Sequence, residues 1–123
     1  MQAKKEMKAI KALSNKNKIT AEEEFETGRI IDGKKEYGKR FTVQALPSTA
    51  GNVAINTNLS NITIIKLEGM LYGTTLVSNI PFMYSSQPSV YHYFNPSSSQ
   101  IVIRATDDMS SYSATETIYY TKN

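Results

Sequence analysis

One histidine, His92, and no cysteine among 123 residues leave few routes to nucleophilic or metal chemistry. A Cys–His pair and a zinc site of several histidines are excluded, and a lone imidazole is thin material for a Ser-His-Asp triad. On an extended segment His92 alternates with Val90 and Phe94, which reads as a half-buried, hydrogen-bonded structural histidine. Paired carboxylates can run acid–base chemistry without histidine. The candidates are Asp32, Glu36, Glu68, Asp107, Asp108 and Glu116. Asp32 is accounted for by a hairpin turn, and Asp107-Asp108 by a polar loop at a strand end, where Asp is a common turn former. That loop lacks the alternating oxygen ligands and central glycine of a calcium loop. The six glycines are scattered singly, so there is no phosphate-cradling loop. The expectation is a non-enzyme with no catalytic residue, no cofactor and no metal.

The eight tyrosines carry more information. Tyr84, Tyr91, Tyr93 and Tyr112 lie in or beside segments rich in Ser, Asn and Gln. Rigid amphipathic rings among small, adaptable polar groups suit a recognition surface for proteins or sugars. The plainer alternative is that tyrosine packs well in strands. Tyr91 and Tyr93 share the face opposite His92, so they either flank a second core layer or project outward together. The sequence admits both.

Charge singles out the N-terminus. Within a net charge of +3, residues 1–18 carry +5, six lysines against Glu6, and the remaining 105 residues carry −2. Residues 2–13 are strong helix formers. Ala3, Met7, Ile10 and Leu13 make one apolar stripe, with Lys4, Lys8 and Lys11 on the other faces. A helix of about three turns is not stable alone in water. The stripe is therefore expected to dock, as an attachment arm, on the chain's own body, a sister subunit or another protein. Nucleic acid is disfavoured as its partner, because the run has no arginine and no aromatic for stacking. The lysines also break the first apolar run, and no stretch approaches roughly 18 consecutive apolar residues. Neither an export signal nor a membrane span is expected.

The elements that must position these residues are mostly β. Thr20 and Glu23 have capping-box spacing, which reads as a short helical connector over residues 20–24. From Phe25 onward the hydrophobic period changes to two. Asp32-Gly33, between extended residues 27–31 and 36–43, suits a tight hairpin in which both central residues take positive φ. On the return strand Tyr37, Lys39, Phe41 and Val43 share one side, so Lys39 either snorkels or the strand lies at an edge. Further strands are expected over residues 53–57, 61–67, 74–77, 90–94, 100–105 and 114–121. In the second of these, Ile62 and Ile64 fall on one face, Ile65 and Leu67 on the other. Turn-forming clusters of Ser, Asn, Pro and Gly separate them. Short strands without intervening helices indicate a sandwich or barrel. The expected architecture is mainly β: an antiparallel β-sandwich, jelly-roll or immunoglobulin-like, over residues 25–123. A short basic N-terminal α-helix precedes it, within an arm and connector over residues 1–24.

The run from Thr27 to Phe41 has Gly28-Arg29-Ile30-Ile31-Asp32-Gly33-Lys34-Lys35-Glu36-Tyr37 at its centre. It resembles the G-x-x-I-D-G-K-x-x-Y hairpin that opens a C-terminal domain in many tailed-phage structural proteins. Tyr112-Ser113, followed by a last strand ending Tyr120-Thr121-Lys122, is similar to the close of those domains. Leu46-Pro47, the run from Ile62 to Leu67, Pro81 and the run from Ile101 to Arg104 fall between in similar order. The likeness spans roughly residues 26–123. In that family an aromatic residue often precedes I-D-G, where Arg29-Ile30 stands here. Such domains occur in baseplate, tail-fibre and head-fibre proteins, often as trimers. The resemblance implies a component of the phage particle, of head-fibre, decoration, tail or baseplate type. It would dock on other virion proteins by its arm, form a homotrimer and face the host surface, where a glycan is a candidate ligand. It brings no catalytic residue. The alternative is a free-standing carbohydrate- or receptor-binding module that uses the Tyr/Ser/Asn loops.

Overall fold

The structure, a computed structural model, describes residues 18–83 and 89–123. Its strands are β1 (Ile19–Ala21), β2 (Phe25–Ile31), β3 (Lys34–Val43), β4 (Gly51–Asn56), β5 (Ile62–Tyr72), β6 (Val77–Ile80), β7 (Phe82–Met83), β8 (Ser89–Asn95), β9 (Gln100–Ala105) and β10 (Ser113–Lys122). They form two antiparallel sheets. The large one runs β1-β3-β10-β5-β6 with β2 also on β3, and the small one runs β4-β9-β8-β7. β4 is an edge, and among the described residues its outer side has no strand partner. The chain is mainly β. Among the described residues there is no helix, and so none long and apolar enough to cross a membrane. The helix expected over residues 2–13, with Ala3, Lys4, Met7, Lys8, Ile10, Lys11 and Leu13, lies outside the described residues.

β2 and β3 meet at Asp32-Gly33, whose φ angles are 49° and 78°, with Ile31 paired to Lys34. Both central residues thus sit in the left-handed region that a two-residue hairpin turn requires. Further from the turn, β2 bulges: Thr27, Gly28 and Arg29 stand opposite Glu36 alone, with Gly28 at φ 86°. β1 and β2 follow one another along the edge of β3 that β10 leaves open. Here the capping-box reading fails. Instead of a helical turn, residues 19–21 pair with Val43 to Phe41, Gln44 N donates to the Lys18 carbonyl and Glu22 N to that of Arg40. Pairing with an open edge satisfies more backbone groups than one capped turn would, and it lets Ile19 pack against the core.

Alternation along the strands builds one core between the sheets. Phe41 and Val43 on β3, Leu71 on β5, and Ala114, Ile118 and Tyr120 on β10 face Val53 and Ile55 on β4, Val90 on β8, and Ile101 and Ile103 on β9. Leu46 and Met109, from the loops, are also fully buried. Lys39 keeps the inward register and snorkels. Its Nζ lies 5.6 Å from the Phe41 ring centroid and 3.5 Å from the Thr57 carbonyl oxygen.

Two strands depart from expectation. The ladder between β5 and β10 shifts register at Tyr119/Tyr120, so that Tyr120 pairs with Ile64 and Ile118 with Leu67. The extra residue, Ile65, reverses the alternation. Ile62, Ile64 and Leu67 consequently all pack against the core, where strict alternation puts Leu67 on the other side. The strand expected over residues 74–77 begins only at Val77, because Gly73 N donates to the Leu76 carbonyl at 2.7 Å and closes a turn. β6 then hands the chain to the small sheet past the cis Ile80–Pro81 bond.

Candidate functional site

β8 turns Val90, His92 and Phe94 inward and Tyr91 and Tyr93 outward, the two tyrosines being 45% and 47% exposed. Of the two readings left open by alternation, the rings project outward. Register sets their neighbours on the outer face of the small sheet. Tyr91 is in line with Arg104 and Asn52, Tyr93 with Val102 and Ala54, and Asn95 with Gln100 and Asn56. Arg104 Nη1 donates to Asn52 Oδ1 at 3.3 Å. Exposed Met83, paired with Ser89, continues the apolar part of the face toward β7. Residues two apart on a strand lie about 7 Å apart. The face therefore offers two adjacent rings for stacking, ringed by amides and one guanidinium that donate and accept hydrogen bonds.

Tyr112 does not join them. It precedes β10, packs half-buried against the core, and covers Gly73 so closely that a Cβ there would fall 2.6 Å from its ring. Its Ser-rich surroundings suggested recognition; its position makes it part of the packing. Tyr84 lies outside the described residues.

The carboxylates are dispersed. Asp32 sits in the hairpin turn, and exposed Glu68 pairs with Lys66 Nζ at 2.8 Å. Asp107 and Asp108 organise their own loop: Asp107 Oδ1 accepts from Asp108 N, and Asp108 Oδ1 accepts from Ser110 N and Oγ. Glu36 is buried beneath the β2 bulge, where Thr27 Oγ1 donates to its Oε1 at 2.8 Å. Among the described residues no three His, Asp or Glu side chains gather to hold a metal. Glu24, placed by sequence in a connector, ties that connector to β10. It accepts from the Tyr120 hydroxyl and from Lys122 Nζ. Burial first, and Glu24 second, push the Tyr120 hydroxyl well above its ordinary pKa.

The remaining two titratable groups form one unit. Glu116 occupies an inward position of β10, flanked by Ala114 and Ile118, and is fully buried. His92 reaches it from the opposite sheet, with Nδ1 at 2.8 Å from Oε1 and 2.9 Å from Oε2, so that an Nδ1–H donates to both oxygens. Space for the carboxylate comes from Gly69, its register partner on β5. Among the described residues this is the one pairing of titratable side chains within 4 Å that joins the two sheets. Burial raises the Glu116 carboxyl above its ordinary pKa, and the His92 hydrogen bond and charge oppose that rise without cancelling it. The folded chain thus holds this proton more tightly than the unfolded one does. The resulting stabilisation is complete below the ordinary value of 4.5 and is lost as pH rises through the raised folded-state value. Glu116→Gln removes this component. Its denaturation profile between pH 4.5 and neutrality should be flatter than that of the unsubstituted protein; parallel profiles would contradict the assignment.

Comparisons of this chain with protein-family models, with curated proteins and with solved structures give no match.

Proposed function

We propose that this chain is a non-enzymatic structural component of a bacteriophage virion, of head-fibre, decoration, tail or baseplate type. Its two sheets form a β-sandwich of jelly-roll or immunoglobulin kind. Of the arm and connector over residues 1–24, the part ahead of β1 attaches it to other virion proteins, the assembly is a homotrimer, and the sandwich is displayed toward the host surface. The observation that carries the reading is the outer face of the small sheet, where Tyr91 and Tyr93 stand about half exposed in register with Arg104, Asn52 and Val102. Keeping two tyrosines in water brings no folding benefit through burial, whereas a partner that covers them gains a large apolar area. The likeness of residues 26–123 to the phage domains supports the virion setting. The same face would serve a free-standing carbohydrate- or receptor-binding module.

The test is a Tyr91→Ala/Tyr93→Ala double variant in the assembled particle. Assembly should be unchanged, and adsorption to host cells should fall by at least about tenfold, as expected when paired aromatic anchors are truncated. Particles that assemble and adsorb normally would overturn the proposal. Binding to host cells by the isolated chain, with no incorporation into particles, would replace it with the free-standing module.

A further inference from the structure

We propose that a polar trough on the outer face of the large sheet, remote from Tyr91 and Tyr93, is a binding site for a neutral saccharide unit. The trough has a volume of about 390 Å³, within the range of pockets that hold small molecules, roughly 300–1,000 Å³. Two register rows make it. In one, Thr117 lies between Arg40 and Glu68; in the other, Thr115 is followed by Met70 and Asn79. Tyr72 closes one end.

Three features point to a ligand of this class. The first is a hydrogen-bonding group open to a ligand: Thr115 is only 9% exposed, and among the described residues its hydroxyl has no hydrogen-bond partner. The side chains of Thr117, Tyr72 and Asn79 likewise have no hydrogen-bond partner among the described residues. The Thr115 hydroxyl oxygen is not among the atoms sealed from solvent, so a ligand hydroxyl can reach it. The second is the balance of the lining. Hydroxyls and a carboxamide donate and accept, a guanidinium donates and a carboxylate accepts, which complements a polyol whose every hydroxyl does both. The third is charge. Arg40 Nε is 3.5 Å from Glu22 Oε2, and Glu68 Oε1 is 2.8 Å from Lys66 Nζ. Both rim charges are already offset, so neither an anion nor a cation is favoured. Met70 and Tyr72 add an apolar patch for the C–H face of a sugar ring.

The experiment is a ¹⁵N-correlation titration of the full chain with glucose, galactose, mannose, N-acetylglucosamine and their disaccharides. At least one should give saturable shifts at the amides of residues 68–72, 79 and 115–117. Thr115→Val, which keeps shape and β-branching, should weaken that binding about tenfold by removing one hydrogen bond to the ligand. Tyr91→Ala should leave it unchanged. Thr117→Val provides the same readout should Thr115→Val fail to fold. The proposal is overturned by an absence of saturable shifts across the panel, by shifts centred on Tyr91 and Tyr93, or by unaltered affinity in a folded threonine variant.

Discussion

Replacing His92 with alanine is expected to destabilise the protein by about 1–3 kcal/mol at neutral pH, the usual consequence of leaving a buried polar group without its hydrogen-bond partner. The carboxylate of Glu116 has no solvent exposure, and both its oxygens depend on His92 Nδ1. With the imidazole gone, the fold must keep an unpaired charge between its sheets, take up a proton to neutralise it, or open to admit water. The second route makes the effect pH-dependent. Acidification supplies the proton, so the deficit should shrink as pH falls toward 4.5 and below, where Glu116 is neutral in both states. Urea denaturation across that range measures it. A deficit under about 1 kcal/mol at neutral pH, within the range of ordinary single substitutions, would show that water already satisfies Glu116. The companion experiment replaces both partners with apolar residues, His92→Phe with Glu116→Leu. Because the desolvation of two groups is then avoided, the double variant should be near neutral or more stable than the native chain.

Gly69→Ala is the second large effect. The backbone there is ordinary extended strand, and on propensity alone alanine should be harmless or better. Packing decides otherwise. A Cβ at residue 69 would stand 2.6 Å from Glu116 Oε2 and 2.9 Å from both Glu116 Oε1 and His92 Nδ1. Overpacking of this kind costs about 1–3 kcal/mol. Displacing the carboxylate from the imidazole adds part of the cost of breaking the pair. The clash is with side chains, so it should vanish with them. In a His92→Ala/Glu116→Ala background, which removes both side chains, the same substitution should cost almost nothing, giving a strongly non-additive mutant cycle by thermal denaturation. Additive effects would mean that Gly69 is needed for some reason other than room.

The hairpin at Asp32-Gly33 was legible because its determinants are local: two residues that accept positive φ, between extended segments. The inward face of β10 could also be traced by alternation through Ala114, Ile118 and Tyr120. Glu116 lies in that same register, but alternation says nothing about what faces a strand from the other sheet. Its partner is 24 residues away and the glycine that admits it is 47 residues away. A carboxylate on an apolar parity, together with a lone histidine on another, was the available signal. Ile65 shows a second limit. Nothing in the run from Ile62 to Leu67 marks which residue is extra, because the bulge is defined by pairing with Tyr119 and Tyr120. β1 was hidden for a third reason. Three residues are too few for a period to appear, and the open edge of β3 gives them a place that no local preference encodes. Tyr91 and Tyr93 needed the opposite kind of information, namely that the outer face of their sheet meets solvent.

The side of β4 that has no strand partner among the described residues bears on how the molecule behaves at high concentration. Residues Gly51–Asn56 contain no charge and no proline, the usual deterrents to edge-to-edge pairing. Mutual repulsion between molecules must come from elsewhere, and the positive excess resides in residues 1–18 at +5, against −2 for the rest. A preparation shortened by proteolysis ahead of Ile19 would reverse the sign of its net charge and lower its magnitude, leaving that strand edge less well guarded. Colloidal stability, and the salt and pH at which the protein is stored, therefore depend on keeping the lysine-rich end intact.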